Sequence, residues 1–262
     1  MTRRDAILWL GMRANRLIKP LGLRLSRSPS PADRRRARLM QRYGIDTVID
    51  IGANTGQYAT LLRDCGYTGQ IQSYEPLPSA FAQLRSRAAS DPLWTPINRA
   101  VGEKAETIKM HVAANSVSSS ILSVAELHRQ AAPDSGSVAE IMVQSATLDA
   151  ILAPLAGNSV MVKADTQGFE LPILKRAGNL LSSVRLIEIE MSLVELYQGQ
   201  ALFREVDGFL LARRFELRSI EEGFFDAATG QLLQIDAVYG NVSRSSHFDL
   251  QRSHHVSGSD AL

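Results

Sequence analysis

From Thr47 to Asn241 short apolar runs and helical patterns take turns along the chain, and this alternation restricts the fold more than any other feature. "TVIDI" at Thr47–Ile51 reads as a buried strand and Gln57–Cys65 as a helix. "GQIQSY" at Gly69–Tyr74 is a second strand, Ser79–Ala89 a second helix and "PINRAV" at Pro96–Val101 a third strand. Strands joined by short connections through helices run parallel, and a parallel sheet needs cover on both faces. The expected class is therefore α/β.

The alternation is interrupted once. "AETIKMHVA" at Ala105–Ala113 and "VAEIMVQSAT" at Val138–Thr147 alternate apolar and polar residues as half-exposed strands do, with a Ser-rich loop and a short helix between them. This predicts an insertion lying over one end of the sheet. Helix, strand, helix, strand then resume at Leu148–Leu155, Ser159–Asp165, Leu171–Ala177 and Val184–Met191. A helix at Ala201–Arg213 precedes "FELRSI" and "LQIDAVYGN", two strands with no helix between them, hence an antiparallel hairpin at a sheet edge. Three segments result: a basic helical arm over residues 1–44, a ligand-binding domain over 45–242, and a disordered Ser/His-rich tail over 243–262.

The net charge of +2 conceals an asymmetry. Residues 1–42 hold eleven Arg and one Lys against Asp5 and Asp33, a surplus of +10, so the remaining 17 basic and 25 acidic residues carry −8. A basic segment of this kind can make peripheral contact with an anionic membrane, or it can pack on the acidic domain behind it. Trp9 and Tyr43 are its only aromatics, too few stacking platforms for single-stranded nucleic acid, so no nucleic-acid partner is expected. The single cysteine, Cys65, permits no intramolecular disulfide and suits the cytoplasm. No apolar run approaches the ~18–20 residues that a bilayer demands, and "MTRRDAILWLGMRANR" lacks a small-residue cleavage site and is expected to be retained.

"VIDIGANTG" then poses a chemical question: Asp50 stands at the end of a buried strand, just ahead of Gly52 and Gly56. Dinucleotide sites use G-x-G-x-x-G with a pyrophosphate on the helix N-terminus, and that spacing is absent. A cationic, phosphate-free cofactor fits better. S-adenosylmethionine offers an ammonium for Asp50 and an amino-acid portion for the backbone of Gly52, Asn54 and Thr55. Its ribose diol would fall to Glu75, twenty-three residues after Gly52 at the end of the second strand. The plainer alternative is a chance D-x-G-x-x-x-G, against which the flanking strand, helix and Glu75-Pro76 all weigh.

"VIDIGANTGQYATLL", "SYEPLPSAFAQL", "NRAVGEKAETIKMHV", Ser118–Ser120, "VKADTQGFELPILKRAG" and "IEIEMS" together resemble the FkbM family of S-adenosylmethionine-dependent methyltransferases, over about Val48–Asn241. The run Lys163–Glu170 matches the family pattern K-x-D-x-x-G-x-E in order and spacing. The resemblance implies a class I methyltransferase, Rossmann-like fold: seven mostly parallel strands with the last antiparallel. It implies methyl transfer to a hydroxyl of a sugar, glycolipid or polyketide-type acceptor. The cofactor set then comprises Asp50, Gly52, Asn54, Thr55, Gly56, Tyr58, Glu75, Pro76, Ala100, Val101 and Asp165.

Asp165, where its strand gives way to loop, is the first choice for an acid/base group, with helix capping as the alternative. Glu190 is the second. Lys163 and Glu188 on adjacent strands read as a structural pair, because a bare mid-strand charge would be very costly. Asn115, Ser118, Ser119 and Ser120 supply polar groups for a polyhydroxylated acceptor, and Glu170 orients the loop or touches that acceptor. Asp165, Glu190 and Asn115 carry oxygens suited to Mg²⁺, although no local pattern fixes a metal. A non-catalytic binding module docking through the basic arm is the alternative function, and a nucleotide-sugar oxidoreductase is disfavoured by the missing glycine pattern. The oligomeric state is open.

Overall fold

The computed structural model describes residues 29–114 and 118–244. The proposed arm helix around Ile7–Ile18, Asn115 and most of the Ser/His tail lie outside the described residues.

The first described helix, α1 (Pro31–Arg42), starts on a capping box in which Ser30 accepts from Asp33 N–H and Asp33 returns the bond to Ser30 N–H. Then follow β1 (Thr47–Ile51), α2 (Gln57–Asp64), β2 (Gln70–Tyr74), α3 (Pro78–Ala88) and β3 (Trp94–Ile97). The inserted region holds β4 (Ala100–Gly102), β5 (Thr107–Ala113), α4 (Glu126–Ala131) and β6 (Ser137–Thr147). The chain continues through α5 (Leu148–Leu152), β7 (Val160–Ala164), α6 (Glu170–Arg176), β8 (Leu186–Ser192), α7 (Phe203–Leu211), β9 (Phe215–Glu222) and β10 (Gln234–Asn241).

Seven strands form one sheet in the order β3-β2-β1-β7-β8-β10-β9, with β10 antiparallel to both neighbours. The expected third strand proves to be two. β3 stays in the large sheet, whereas β4 leaves it after Asn98 and pairs with β6 in a three-stranded sheet. Asn98 Nδ2 donates to the Glu75 and Pro76 carbonyls at 2.9 and 3.1 Å, which fastens the bend. The β5–β6 hairpin completes this small sheet and is the predicted insertion.

Successive strand residues face opposite ways. Ile49, Ile51, Val162, Ile187 and Ile189 meet α5, α6 and α7 on one face. Val48, Met161 and Leu186 meet α1, α2 and α3 on the other. That second face also carries a polar row in register across four strands: Ser73, Asp50, Lys163 and Glu188. Helix α1 covers it. Met40 and Tyr43 are buried in this core, Arg36 pairs with Glu188 and Arg35 with Glu221. Helix α1 packs on the domain through Met40 and Arg36, while Arg34, Arg35, Arg38 and Arg42 stay exposed. Among the described residues no helix is long and apolar enough to cross a membrane.

Candidate active site

The strand order reverses between β1 and β7, and a doubly wound sheet opens its crevice at the carboxyl ends of such strands. A cleft of about 620 Å³ lies there. Gly52 and Asn54 form one wall, Glu75, Pro76 and Leu77 the next, Arg99, Ala100 and Val101 the third. Asp165, Thr166 and Gln167 close the far side, and Met110, Ser119 and Ile121 of the insertion lie over it. The break between β3 and β4 has a purpose: it brings apolar Ala100 and Val101 to the cleft.

Glu75 is held from two sides. Its Oε2 accepts from Asn54 N–H and its Oε1 from Leu77 N–H, both at 2.8 Å. Burial pushes its pKa up to about 7, against those two bonds. Each oxygen keeps a lone pair, so the carboxylate can accept two more hydroxyls. Asn54 adopts φ 47°, a left-handed conformation that Asn tolerates better than most residues.

At the far side, the Gln167 amide bridges two carboxylates. Its Nε2 donates to Asp165 Oδ1 at 2.7 Å and to Glu190 Oε2 at 2.8 Å. Tyr197 donates its hydroxyl proton to Gln167 Oε1 at 2.6 Å, which fixes which end of the amide faces the acids. Gln234 adds a second donor to Glu190 Oε2 at 2.9 Å. Burial, then the charges of Asp165 and Glu170, push Glu190 well above the usual carboxylate range. Lys163 reaches Asp165 Oδ2 at 3.2 Å and the Gly52 carbonyl at 3.3 Å. Burial works against its ammonium, but Asp165 and Asp50 outweigh it and hold the pKa above the ordinary lysine value.

Of the sequence-derived cofactor set, Gly52, Asn54, Glu75, Pro76, Ala100, Val101 and Asp165 line the cleft. The others do not. Asp50 is fully buried beneath it, accepting from Ser73 Oγ at 3.0 Å and pairing with Lys163 at 3.6 Å, so its side chain cannot serve an ammonium in the cleft. Thr55 turns into the loop through its N–H to Asn54 Oδ1 at 2.7 Å. Gly56 packs on Trp94 and Leu84. Tyr58 lies on the α1 side, donating to Glu188 Oε2 at 2.8 Å.

Among the acceptor candidates, Ser119 lines the cleft. Ser118 and Ser120 are buried in the fold: the Ser118 carbonyl lies 3.2 Å from the Tyr197 hydroxyl, and Ser120 Oγ donates to the Gln167 carbonyl at 2.7 Å. Glu170 is buried too, spent on Thr166 N–H, Thr166 Oγ1 and Gly168 N–H. It orients the loop, and burial raises its pKa to about 7. Asp165 does not cap α6, whose start makes no side-chain capping bond. Glu188 pairs with Arg36 rather than Lys163, because Lys163 is drawn to the rim by Asp165 and Asp50. Gln167, Tyr197, Gln234 and Arg99 escaped the sequence reading. Only Gln167 had a signal, its place inside the K-x-D-x-x-G-x-E run. Among the described residues no cluster of His, Cys, Asp or Glu would hold a metal ion.

The large sheet, with a single antiparallel strand set between β8 and the edge, is that of class I methyltransferases. The chain belongs to the FkbM methyltransferase family: residues 50–217, more than half of it, match the Methyltransferase FkbM domain. It is also similar to solved structures. A SAM-dependent methyltransferase from Aquifex aeolicus is 12% identical at TM-score 0.39, covering 82% of this chain and 94% of that one. A precorrin-6y C5,15-methyltransferase from Geobacter metallireducens is 10% identical at TM-score 0.38, covering 78% and 86%. TehB from Haemophilus influenzae is 8% identical at TM-score 0.43, covering 82% and 63%. A comparison with curated proteins finds no match.

Family membership implies S-adenosylmethionine, and the donor set agrees with it. A buried carboxylate with spare lone pairs suits a ribose diol, and the apolar Pro76, Leu77, Ala100 and Val101 suit a flat base. The start of α2 does not line the cleft.

Proposed function

We propose that the protein is an S-adenosylmethionine-dependent O-methyltransferase acting on a hydroxyl of a sugar, glycolipid or polyketide-type small molecule. The observation that carries this reading is Asp165 in the lining of the cleft, joined through the Gln167 amide to Glu190, which stands behind that lining. The cofactor, when bound, supplies a methyl group already activated on a sulfonium. What remains is alignment of the acceptor oxygen and removal of its proton as it reacts. Asp165, ion-paired with Lys163, is the group placed to take that proton. Glu190, driven toward its protonated form and outside the cleft lining, backs Asp165 through the shared Gln167 amide. Ser119, on the part of the insertion that lines the cleft, adds a hydroxyl for a polyhydroxylated partner.

The test is incubation with S-adenosylmethionine and panels of sugars, glycolipids and polyketide alcohols, with product mass and methyl position read by mass spectrometry and NMR. Methylation confined to nitrogen or carbon would remove the hydroxyl assignment. With an acceptor in hand, Asp165→Ala should lower kcat about 10²-fold or more, the usual worth of a general base. The affinity for S-adenosylhomocysteine should fall by less than kcat does, since Glu75 is untouched while Asp165 itself lines the cleft and holds Lys163. Undiminished turnover would exclude Asp165 as the base.

A further inference from the structure

Glu188 sits in the middle of β8, 5% exposed, on the sheet face opposite α5–α7. A carboxylate there requires a counter-charge. Its cross-strand neighbour in register is Lys163, yet the lysine is engaged elsewhere: with Asp165 at 3.2 Å, with Asp50 at 3.6 Å and with the Gly52 carbonyl at 3.3 Å. The charge that satisfies Glu188 comes from outside the sheet. Arg36 of α1 places Nε 2.9 and 2.7 Å from the two carboxylate oxygens and turns Nη1 to Asp33 at 2.9 Å. The Tyr58 ring stands between the two cations, with Arg36 Cζ and Lys163 Nζ each 5.5 Å from its centroid. This array therefore holds four carboxylates, Asp50, Glu188, Asp165 and Asp33, against two cations.

We propose that Arg36 is a positioning residue for the cofactor cleft: by neutralising Glu188 it leaves Lys163 directed at Gly52 and Asp165, both of which line the cleft. Without Arg36, Glu188 becomes the nearest uncompensated charge to Lys163, one strand away in register. The ammonium then turns back toward β8. The Gly52 carbonyl loses its donor and Asp165 its ion partner. The N-terminal helix thus reaches the cleft through a chain of charges, although none of its own residues lines it. The inference rests on the reading that the cleft takes S-adenosylmethionine or its product.

The experiment is calorimetric titration of S-adenosylhomocysteine into wild type, R36Q, E188Q and the double variant R36Q/E188Q, each with a thermal melt to establish folding. R36Q is expected to bind about tenfold more weakly, a normal size for coupled neighbours. E188Q and the double variant are expected to bind within about threefold of wild type, because with Glu188 neutral nothing draws Lys163 away. A merely structural Arg36 would not be rescued by removing Glu188. Wild-type affinity in R36Q, or a double variant as weak as R36Q, overturns the proposal. Should R36Q fail to fold, E188Q against R36Q/E188Q carries the test: equal affinities support it, and a difference above about fivefold overturns it. A wild type that binds no S-adenosylhomocysteine overturns the cofactor reading itself, and this inference with it.

Discussion

Glu75 is placed where two demands oppose each other. Its carboxylate is buried enough to favour the protonated form, which sets its pKa at about 7, while two backbone N–H groups hold both oxygens ready for further donors. A ribose diol can donate to both oxygens of the ionised form, whereas protonation turns one of those oxygens into a competing donor. In the free protein, ionisation costs stability as pH rises from the unfolded value of about 4.5 through about 7, and a bound diol offsets that cost. Affinity for S-adenosylhomocysteine should therefore rise with pH through this window and level off above it. Calorimetry at pH 6 and pH 8 should show binding about tenfold weaker at the lower value, since one pKa unit is a factor of ten. Glu75→Gln should flatten that dependence and weaken binding at pH 8 by about tenfold or more, the worth of a hydrogen bond to a charged group. Affinity that is unchanged between the two pH values would take Glu75 out of contact with the ligand.

The β1–turn–α2 element shows what its glycines are for, and the two differ. A β-carbon on Gly52, at φ 76°, would collide with the Asp165 carbonyl, so this glycine lets the ends of β1 and β7 close into one cleft wall. Gly56, at φ 90°, would place its β-carbon 2.8 Å from the Trp94 ring and 2.9 Å from Leu84. Trp94 Nε1 donates to Ser73 Oγ, and Ser73 donates to Asp50, each at 3.0 Å, so Gly56 packs against the buried polar row and outside the cleft lining. Gly56→Ala should cost about 2–4 kcal/mol from the left-handed backbone and the overpacked ring together. Urea unfolding would measure it, and the folded fraction should keep its affinity for S-adenosylhomocysteine within about threefold, since Gly56 is outside the cleft. A lost affinity with unchanged stability would return Gly56 to the ligand. Periodicity made the strands and helices legible, because each strand's burial is written in its own residues. It could not reveal that β3 and β4 belong to different sheets, which depends on the distant partner β6. It also aimed Asp50 at the ligand, because a strand-end carboxylate looks the same whether it faces a cleft or Lys163 one strand away.

The charge asymmetry of the chain is in part an internal matter of the fold. Of the five arginines of α1, Arg36 is turned inward, to Glu188 and Asp33, while the exposed Arg35 pairs with Glu221 at the surface. Composition alone could not distinguish this from a basic surface, since both write the same arginines into the sequence. Tyr43, immediately after α1, fixes the helix to the far half of the sheet. Its ring is 2% exposed, its hydroxyl accepts from Arg218 Nε at 3.2 Å, and its carbonyl accepts from Arg185 Nη1 at 2.9 Å. The hydroxyl lies against Gly240 of β10, where any β-carbon would strike it. One residue thereby ties α1 to β9, to β10 and to Arg185 at the entry of β8, the strand that presents Glu188 and Glu190. Tyr43→Ala should destabilise the whole domain by about 3–5 kcal/mol, as the loss of a large buried ring does, and unfolding should remain a single transition. Tyr43→Phe, which gives up only the hydrogen bond, should cost about 1 kcal/mol. Denaturant melts followed by far-UV and near-UV dichroism would decide it. A Tyr43→Ala protein that melts in two steps, with the domain's own transition unmoved, would make α1 an appendage after all and sever it from the charges beneath the cleft.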